Sequence, residues 1–270
     1  MTTDEKFAVI AGNLRDSLRV SEKVSAIVKG SLFELAEIAA EKEDAENALE
    51  TARLVIPEGN RMMLAEFCRL YHKCRGSTES PFPNHAVTAS TVMIPEISRL
   101  DDVIGYIARR GIHLERHFGD SFSYCAEEVE YGHAGYVLMP LSDPKEGRLS
   151  SFERLREEYG LRVHCVVNIP SDDSGDYSYQ LCALGFPDLG NTSATRFSFT
   201  AHTRADVLSY LGALSCFGAT VLSTDIAVGE ISRVRAVLDI SDTDNELLSG
   251  LVMYLNIGAD MTVDGIYAEI

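Results

Sequence analysis

Residues 86–184 alternate short apolar runs of strand type with segments of helical spacing, and this rhythm constrains the fold more than any other feature. Strand patterns occupy 86–92, 112–118 and 177–184, and a helix, a strand, a loop, a helix and a strand follow one another through 122–169. Pro95 is placed to open a helix that runs to Arg110, with Gly111 as its stop. Strands that alternate with helices predict a mainly parallel sheet with helices on its faces.

Residues 5–76 carry helical spacing without strand alternation. One long helix is predicted from a single apolar stripe at three- and four-residue spacing: Leu14, Leu18, Ser21, Ser25, Val28, Leu32, Leu35 and Ala39. Two further helices are predicted at 45–55 and 58–74, and the second of them stops at Gly76. A long helix with one apolar stripe needs a partner, either within the chain or from a second copy.

The C-terminal part, residues 194–270, has a different order of elements. The pattern predicts strands at 196–202, 220–228, 233–240 and 261–267, and helices at 205–217 and 244–257. This βαββαβ order is the ferredoxin-like arrangement. At this size and position it resembles an ACT domain, a module that senses small molecules. The predicted fold class is therefore a multidomain α and α/β protein with units at 5–76, 84–188 and 194–270.

The middle unit resembles the first half of prephenate dehydratase. Its helix ends Val129-Glu130-Tyr131-Gly132, and the next strand ends in Pro140-Leu141-Ser142-Asp143, where that family has Pro-Ile-Glu-Asn. The order of the three units resembles the bifunctional chorismate mutase–prephenate dehydratase, or P-protein. Leu14-Arg15 and Glu34-Leu35-Ala36 stand at the separation found in the first helix of its all-helical mutase. The resemblance implies a single α/β lobe between a mutase-like helical unit and an ACT-like unit.

The resemblance implies Arg15 and Lys42 as weak candidates for catalysis in the helical unit. That mutase holds its substrate, which has two carboxylates, with several cations that also stabilise the transition state. Arg15 matches the first cation, Leu32 stands where the second is expected, and Lys42 lies one place from the expected lysine. The stretch 44–50 is acidic where the family has an Arg-Glu pair. We therefore expect little or no mutase activity.

The dehydratase family closes its active site with a second lobe, and this chain has no room for one. Residues 170–176 form a short polar turn that leads directly into the next strand. The family's Thr-Arg-Phe motif corresponds to the start of that strand, where Ser178 keeps a hydroxyl and Tyr179 replaces the arginine. The later Thr195-Arg196-Phe197 triplet is interpreted as a coincidence at the start of the ACT-like unit. Because one wall of the cleft is missing, we expect no dehydratase activity.

The resemblance also implies ligand-binding candidates in the ACT-like unit. Ala205-Asp206-Val207 stands where the family has Gly-Ala-Leu, and Asp225 begins the stretch that replaces its Glu-Ser-Arg-Pro. Asp206, Val207 and Asp225 are therefore the candidates. A carboxylate at Asp206 suits a helix N-terminus but repels the carboxylate of an amino acid. Phenylalanine sensing of the usual kind is not expected, whereas dimerisation is.

Composition excludes several classes of partner. The formal net charge of −17 argues against binding to nucleic acids or anionic membranes. The sequence shows neither a membrane-spanning run nor a signal peptide, and its six cysteines are scattered, so we expect a reduced cytoplasmic protein. No metal site is expected, because His113 and His117 on one strand face would lie about 13 Å apart. No nucleotide-binding or hydrolase motif is present, so no cofactor is expected.

Two classes of function remain. The first is a non-catalytic binding or regulatory relative of the P-protein in aromatic amino acid or specialised aromatic metabolism, with a small aromatic or shikimate-derived ligand. The second is a remodelled enzyme that acts on chorismate or prephenate. For both we expect a homodimer held by the N-terminal helices, the ACT-like unit or both.

Overall fold

The structure, a computed structural model, describes residues 24–41, 45–57, 59–76, 81–82, 90–97, 99–109, 111–170, 176–186, 194–257 and 259–269. The helices are α1 (24–41), α2 (Ala45–Val55), α3 (Arg61–Arg75), α4 (Leu100–Arg109), α5 (Phe122–Glu130), α6 (Ser150–Glu158), α7 (Val207–Gly212) with a following 3-10 turn (Ala213–Phe217), and α8 (Asn245–Leu255). The strands are β1 (Thr91–Ile94), β2 (Glu115–Phe118), β3 (Tyr136–Asp143), β4 (Gly147–Arg148), β5 (Arg162–Ile169), β6 (Tyr177–Ala183), β7 (Arg196–Thr203), β8 (Thr220–Ala227), β9 (Ser232–Asp239) and β10 (Ala259–Glu269).

The strands form one mixed sheet in the order β2-β1-β3-β6-β5-β10-β7-β9-β8, with β4 paired to β3. The prediction of a mainly parallel sheet is wrong. β1 pairs in parallel with β2 and β3, and β10 with β5, whereas the remaining pairs are antiparallel. The short connection from Ile169 to Tyr177 explains part of the difference, since a parallel partner needs a crossover of a dozen residues or more.

Helix α4 begins later than the sequence predicted. Pro95 follows directly on β1 and does not open the helix, which starts at Leu100. Arg99 adopts a positive φ of 56°, a conformation that no residue within a right-handed helix can have. At the other end, Gly111 has a φ of 80° and donates its N–H to the carbonyl of Ala108, so the predicted stop is confirmed.

The C-terminal strands lie in the order β10-β7-β9-β8, which is the 4-1-3-2 order of a ferredoxin-like fold. Strand β10 continues past this group, because Gly265, Ala268 and Glu269 also pair in parallel with β5. The sheet of the α/β part and the sheet of the C-terminal part are therefore one structure, joined at β10.

The N-terminal helices cover the helical side of the C-terminal strands. Leu32, Ala36 and Ala39 of α1 are buried, and they share one core with α3, α7, α8 and the inner faces of β7 and β9. The C-terminal part of the predicted stripe therefore has its partner within the chain, whereas Leu14, Leu18 and Ser21 lie outside the described residues. Ile27 and Ile38 stay exposed on the opposite face of α1. Helix α3 is capped at its start by Asn60 and ends at Gly76, which has a φ of 62°.

None of the helices within the described part of the chain is long and apolar enough to cross a membrane.

Two further cores lie on the two faces of the α/β part of the sheet. One packs beneath α5 and α6 and includes Val137 and Val166, and the other packs beneath α4 and includes Val167 and Leu181.

Candidate functional site: a polar cleft on the sheet

A cleft of about 310 Å³ opens on the side of the sheet that carries α6. We call it the sheet cleft. It is lined by residues of β3, β5, β6, β7, β8, β9 and β10, together with Arg148 of β4 and Glu153 and Arg156 of α6. Strand alternation sorts the side chains. On β7, Phe197 and Phe199 enter the helical core, whereas Arg196 and Ser198 line the cleft.

A buried ion pair lies at the base of the sheet cleft. Arg156 of α6 contacts Asp264 of β10 at 3.2 Å, and both side chains are only 4% exposed. Arg156 also donates to the carbonyl oxygen of Leu161, and Asp264 accepts a hydrogen bond from the hydroxyl of Thr200 at 2.8 Å. The two charges are therefore mutually neutralised and hydrogen-bonded, as buried charges have to be.

A second group of ion pairs joins α6 to β9. Glu153 contacts both Arg148 and the buried Arg235. Glu157, one turn further along α6, contacts Arg235 and also Arg233 at 3.0 Å. The carboxylates of α6 thus neutralise the arginines of the neighbouring strand, and they hold the helix against the open face of the C-terminal strands.

A chain of hydrogen bonds crosses the upper part of the cleft. The Ser178 hydroxyl donates to the side-chain carbonyl of Asn168 at 2.6 Å, and the Asn168 amide donates to Glu269 at 2.7 Å. Glu269 also binds Arg196 at 2.8 Å, and Arg196 pairs with Asp239 at 2.9 Å. The Ser178 hydroxyl is therefore tied into a network that spans β6, β5, β10, β7 and β9.

Gln180 is the lining side chain with unused hydrogen-bonding capacity. It lies on β6, is 2% exposed, and its Nε2 atom has no partner among the residues that the structure describes. A buried amide donor without a partner costs about 1–3 kcal/mol. It would be satisfied by an acceptor atom of a ligand in the cleft.

The sheet cleft offers few groups for proton transfer or nucleophilic attack. Among the residues that the structure describes, no histidine or cysteine lines it. Burial raises the pKa of the Tyr267 phenol to about 12, so this hydroxyl stays protonated at neutral pH. His164 on β5 is buried, donates from Nε2 to the carbonyl oxygen of Gly185, and has its pKa lowered by that burial. It does not line the cleft.

The predicted site residues fall in separate places. Arg15 and Lys42 lie outside the described residues. Ser178 lines the sheet cleft, whereas Asp225 lies on the exposed strand β8. Asp206 caps α7, and its pKa is lowered because its carboxylate accepts a hydrogen bond from the Ser209 side chain and another from its backbone N–H. Val207 is the first residue of α7.

Sequence reasoning missed most of the cleft. Thr195-Arg196-Phe197 does mark the start of β7, but it was not expected that Arg196 reaches the same cleft as Ser178. Arg156, Asp264 and Gln180 were not singled out either. The only available signal was the alternation of polar and aromatic residues along β7. The charged residues of α6 gave no signal, because charges on a helix are usually solvated.

No metal site was found within the described parts of the chain, where no group of three or more histidine, cysteine, aspartate or glutamate side chains is placed to hold an ion. His117 and Glu115 of β2 approach to 3.5 Å on an exposed edge strand.

Comparisons with known proteins place the fold. No family model matches the sequence, and no curated protein matches it. Among solved structures, prephenate dehydratase from Streptococcus mutans matches with a TM-score of 0.50 and 13% identity, over 66% of this chain and 98% of that one. Prephenate dehydratase from Arthrobacter aurescens, solved in complex with L-Phe, matches with a TM-score of 0.52 and 10% identity, over 66% of this chain and 89% of that one.

A third solved structure carries a different description. GqqA, described as a novel type of quorum quenching acylase, matches with a TM-score of 0.51 and 12% identity, over 66% of this chain and 95% of that one. Identities this low establish the fold alone. The chain has a prephenate-dehydratase-like fold.

Proposed function

We propose that this chain is a binding or regulatory protein related to prephenate dehydratases, that it serves aromatic metabolism, and that it is not itself a dehydratase. In this proposal residues 5–76 form a mutase-like helical unit, residues 84–188 a single dehydratase-like lobe, and residues 194–270 an ACT-like unit. The shared fold supports the relationship but does not select the activity, because a structure described as an acylase has it too.

The observation that carries the proposal is the neutralisation of the arginines in the sheet cleft. Arg148, Arg156, Arg196 and Arg235 all line the cleft, and each is paired with a carboxylate of the same chain. A dianionic substrate such as prephenate needs positive charge that is free to act on it. Here that charge already holds α6 and the C-terminal strands together, so the cleft lacks the electrostatics of a dehydratase.

Gln180 supports the binding part of the proposal. Its unpartnered amide lies on β6 beside Val166 of β5, which is its register partner and also lines the cleft. A neutral donor beside an apolar side chain, in a cleft whose charges are already paired, suits a small aromatic ligand that offers one acceptor group. The volume of about 310 Å³ lies at the lower end of the range for small-molecule sites.

Ligand binding is tested by thermal unfolding with L-phenylalanine, L-tyrosine, prephenate and chorismate, each in parallel with an assay of prephenate and chorismate turnover. At 100 times its Kd, one of these ligands should raise the Tm by about 5–10 °C. Gln180→Leu should abolish that shift while the Tm of the free protein stays equal or rises, because an unsatisfied buried donor is removed. Ser249→Ala, which removes a buried hydroxyl from α8, is the matched control and should keep the shift.

Two outcomes would contradict the proposal. Turnover of prephenate or chorismate by the wild-type protein would favour the remodelled enzyme instead. A ligand-induced shift that survives Gln180→Leu would place the binding site outside the sheet cleft.

We further propose a homodimer that forms through strand β8. This strand is the last in the sheet, all eight of its residues are exposed, and it presents Val221 and Ile226 along an unpaired edge. Such an edge pairs readily with a second chain. Sedimentation at micromolar concentration should show a dimer for the wild type and a monomer for Ile226→Lys. Leu208→Lys, at an apolar residue of α7 that is 78% exposed, should remain dimeric. A monomeric wild type would refute this proposal.

A further inference from the structure

A second cleft, of about 550 Å³, lies on the opposite side of the C-terminal strands, among the helices. We call it the arginine cleft. It is formed where the end of α2, the start of α3, the β7–α7 turn and the residue after α8 meet, and it shares no lining residue with the sheet cleft.

Three arginines line the arginine cleft: Arg53 of α2, Arg61 of α3 and Arg204 of the β7–α7 turn. Arg61 donates from Nη1 to the carbonyl oxygen of Ile257 at 2.9 Å, which holds its guanidinium at the cleft. Arg53 and Arg204 are exposed and form no ion pair with any residue that the structure describes. This is the reverse of the sheet cleft, where each arginine is neutralised.

The carboxylate in the lining of the arginine cleft is already engaged. Asp206 accepts the backbone N–H of Ser209 at 2.8 Å as the cap of α7. The first turn of α3 contains no acidic residue and instead begins with Arg61, which adds positive charge at the positive end of the helix dipole. In a chain with a net charge of −17, three arginines against the one carboxylate among the described lining residues leave this cleft with a net positive charge.

Apolar side chains lie beside these cations. Leu64 and Ile257 line the arginine cleft and are buried to 2% and 3% exposure. Arginines on three separate elements beside apolar side chains match a molecule that carries two negative charges on an apolar body. Guanidinium groups bind carboxylates and phosphates through paired hydrogen bonds.

We propose that the arginine cleft is a binding site for a small organic dianion with an apolar body, such as an aromatic dicarboxylate or an aryl phosphate. Arg61 is the fixed anchor for one negative charge, and Arg53 and Arg204 bind the other. The site is independent of the sheet cleft and of the function proposed for it.

The test uses calorimetric titration of the full chain with isophthalate, phenyl phosphate and the monoanion benzoate. Both dianions are expected to bind in the millimolar range or tighter, and at least tenfold more tightly than benzoate. The isophthalate and phenyl phosphate arms distinguish a dicarboxylate site from a phosphate site. Arg53→Ala and Arg204→Ala should each weaken dianion binding roughly 10- to 100-fold, since each removes a charge-assisted contact.

The matched control is Arg154→Ala, which removes an exposed arginine of α6 that lines neither cleft. It should leave dianion binding within about twofold of the wild type, apart from the general effect of one surface charge. Absence of dianion binding in the wild type would overturn the proposal. So would unchanged affinity in Arg53→Ala and Arg204→Ala, or an equal loss in Arg154→Ala. All variants are at exposed positions, and their melting curves should match the wild type.

Discussion

Replacing Arg156 with methionine is expected to lower the free energy of unfolding by about 3–5 kcal/mol. The substitution keeps most of the apolar stem but leaves the Asp264 carboxylate, which is 4% exposed, without its cation. Asp264 would keep the hydrogen bond from Thr200, which cannot offset the loss of a full charge at 3.2 Å. Urea unfolding followed by circular dichroism measures the change.

The matched control is Arg116→Met at an exposed ion pair. Arg116 contacts Asp101 at 2.7 Å, but the side chains are 41% and 89% exposed. Removing such a pair should cost about 0–1 kcal/mol. The double variant Arg156→Met with Asp264→Asn should be more stable than Arg156→Met alone, because no uncompensated charge remains. Equal effects of Arg156→Met and Arg116→Met on the free energy of unfolding would show that the buried ion pair contributes no more to stability than the exposed one.

Replacing Gly265 with alanine is expected to destabilise the protein by about 2–3 kcal/mol. Gly265 lies in β10 between two neighbours, and it pairs with Ser198 of β7 on one side and with Val163 of β5 on the other. A Cβ atom there would come within 2.7 Å of the Val163 carbonyl oxygen and 2.8 Å of the Val163 Cβ. Neither the carbonyl oxygen nor the Cβ of Val163 can move away without moving the backbone of β5, so the two strands would have to separate.

Gly105→Ala is the matched control for Gly265. Gly105 lies within α4, and an added Cβ would meet no heavy atom within 4 Å. Alanine is the better helix former, so this variant should be more stable than the wild type by about 0.5–1 kcal/mol. Urea midpoints of the two variants should therefore move in opposite directions. A Gly265→Ala protein as stable as the wild type would mean that β10 and β5 do not pack this closely.

Local sequence patterns predicted many of the elements. Helix α2 was predicted with the bounds that the structure has, and α8 and β7 to β9 were predicted to within two residues at each end. The ferredoxin-like order of the C-terminal strands was also predicted, since it follows from the order of elements along the chain. These features depend on periodicity, caps and glycine stops, which act over a few residues.

Strand partners were not predictable in the same way. The sequence pattern could not indicate that β10 pairs with β5, because the paired residues Gly265 and Val163 are about a hundred positions apart. Nor could it show that α6 lies against β9, which depends on the ion pairs of Glu153 and Glu157 with Arg235. In sequence, Ser150–Glu158 looks like a solvated helix with ordinary surface charges.

The sequence by itself determined the classes of element, their order and the strongly acidic character of the chain, because each is a property of neighbouring residues or of composition. Tertiary structure alone decided which charges act together. The arginines of the sheet cleft are neutralised because folding brings carboxylates of α6 and of the neighbouring strands to them. Arg53 and Arg204, at the arginine cleft, form no ion pair with any carboxylate that the structure describes. Interactions between exposed charges are largely screened beyond about 10 Å in salt solution, so contacts between segments that are distant in sequence decide which charges act together.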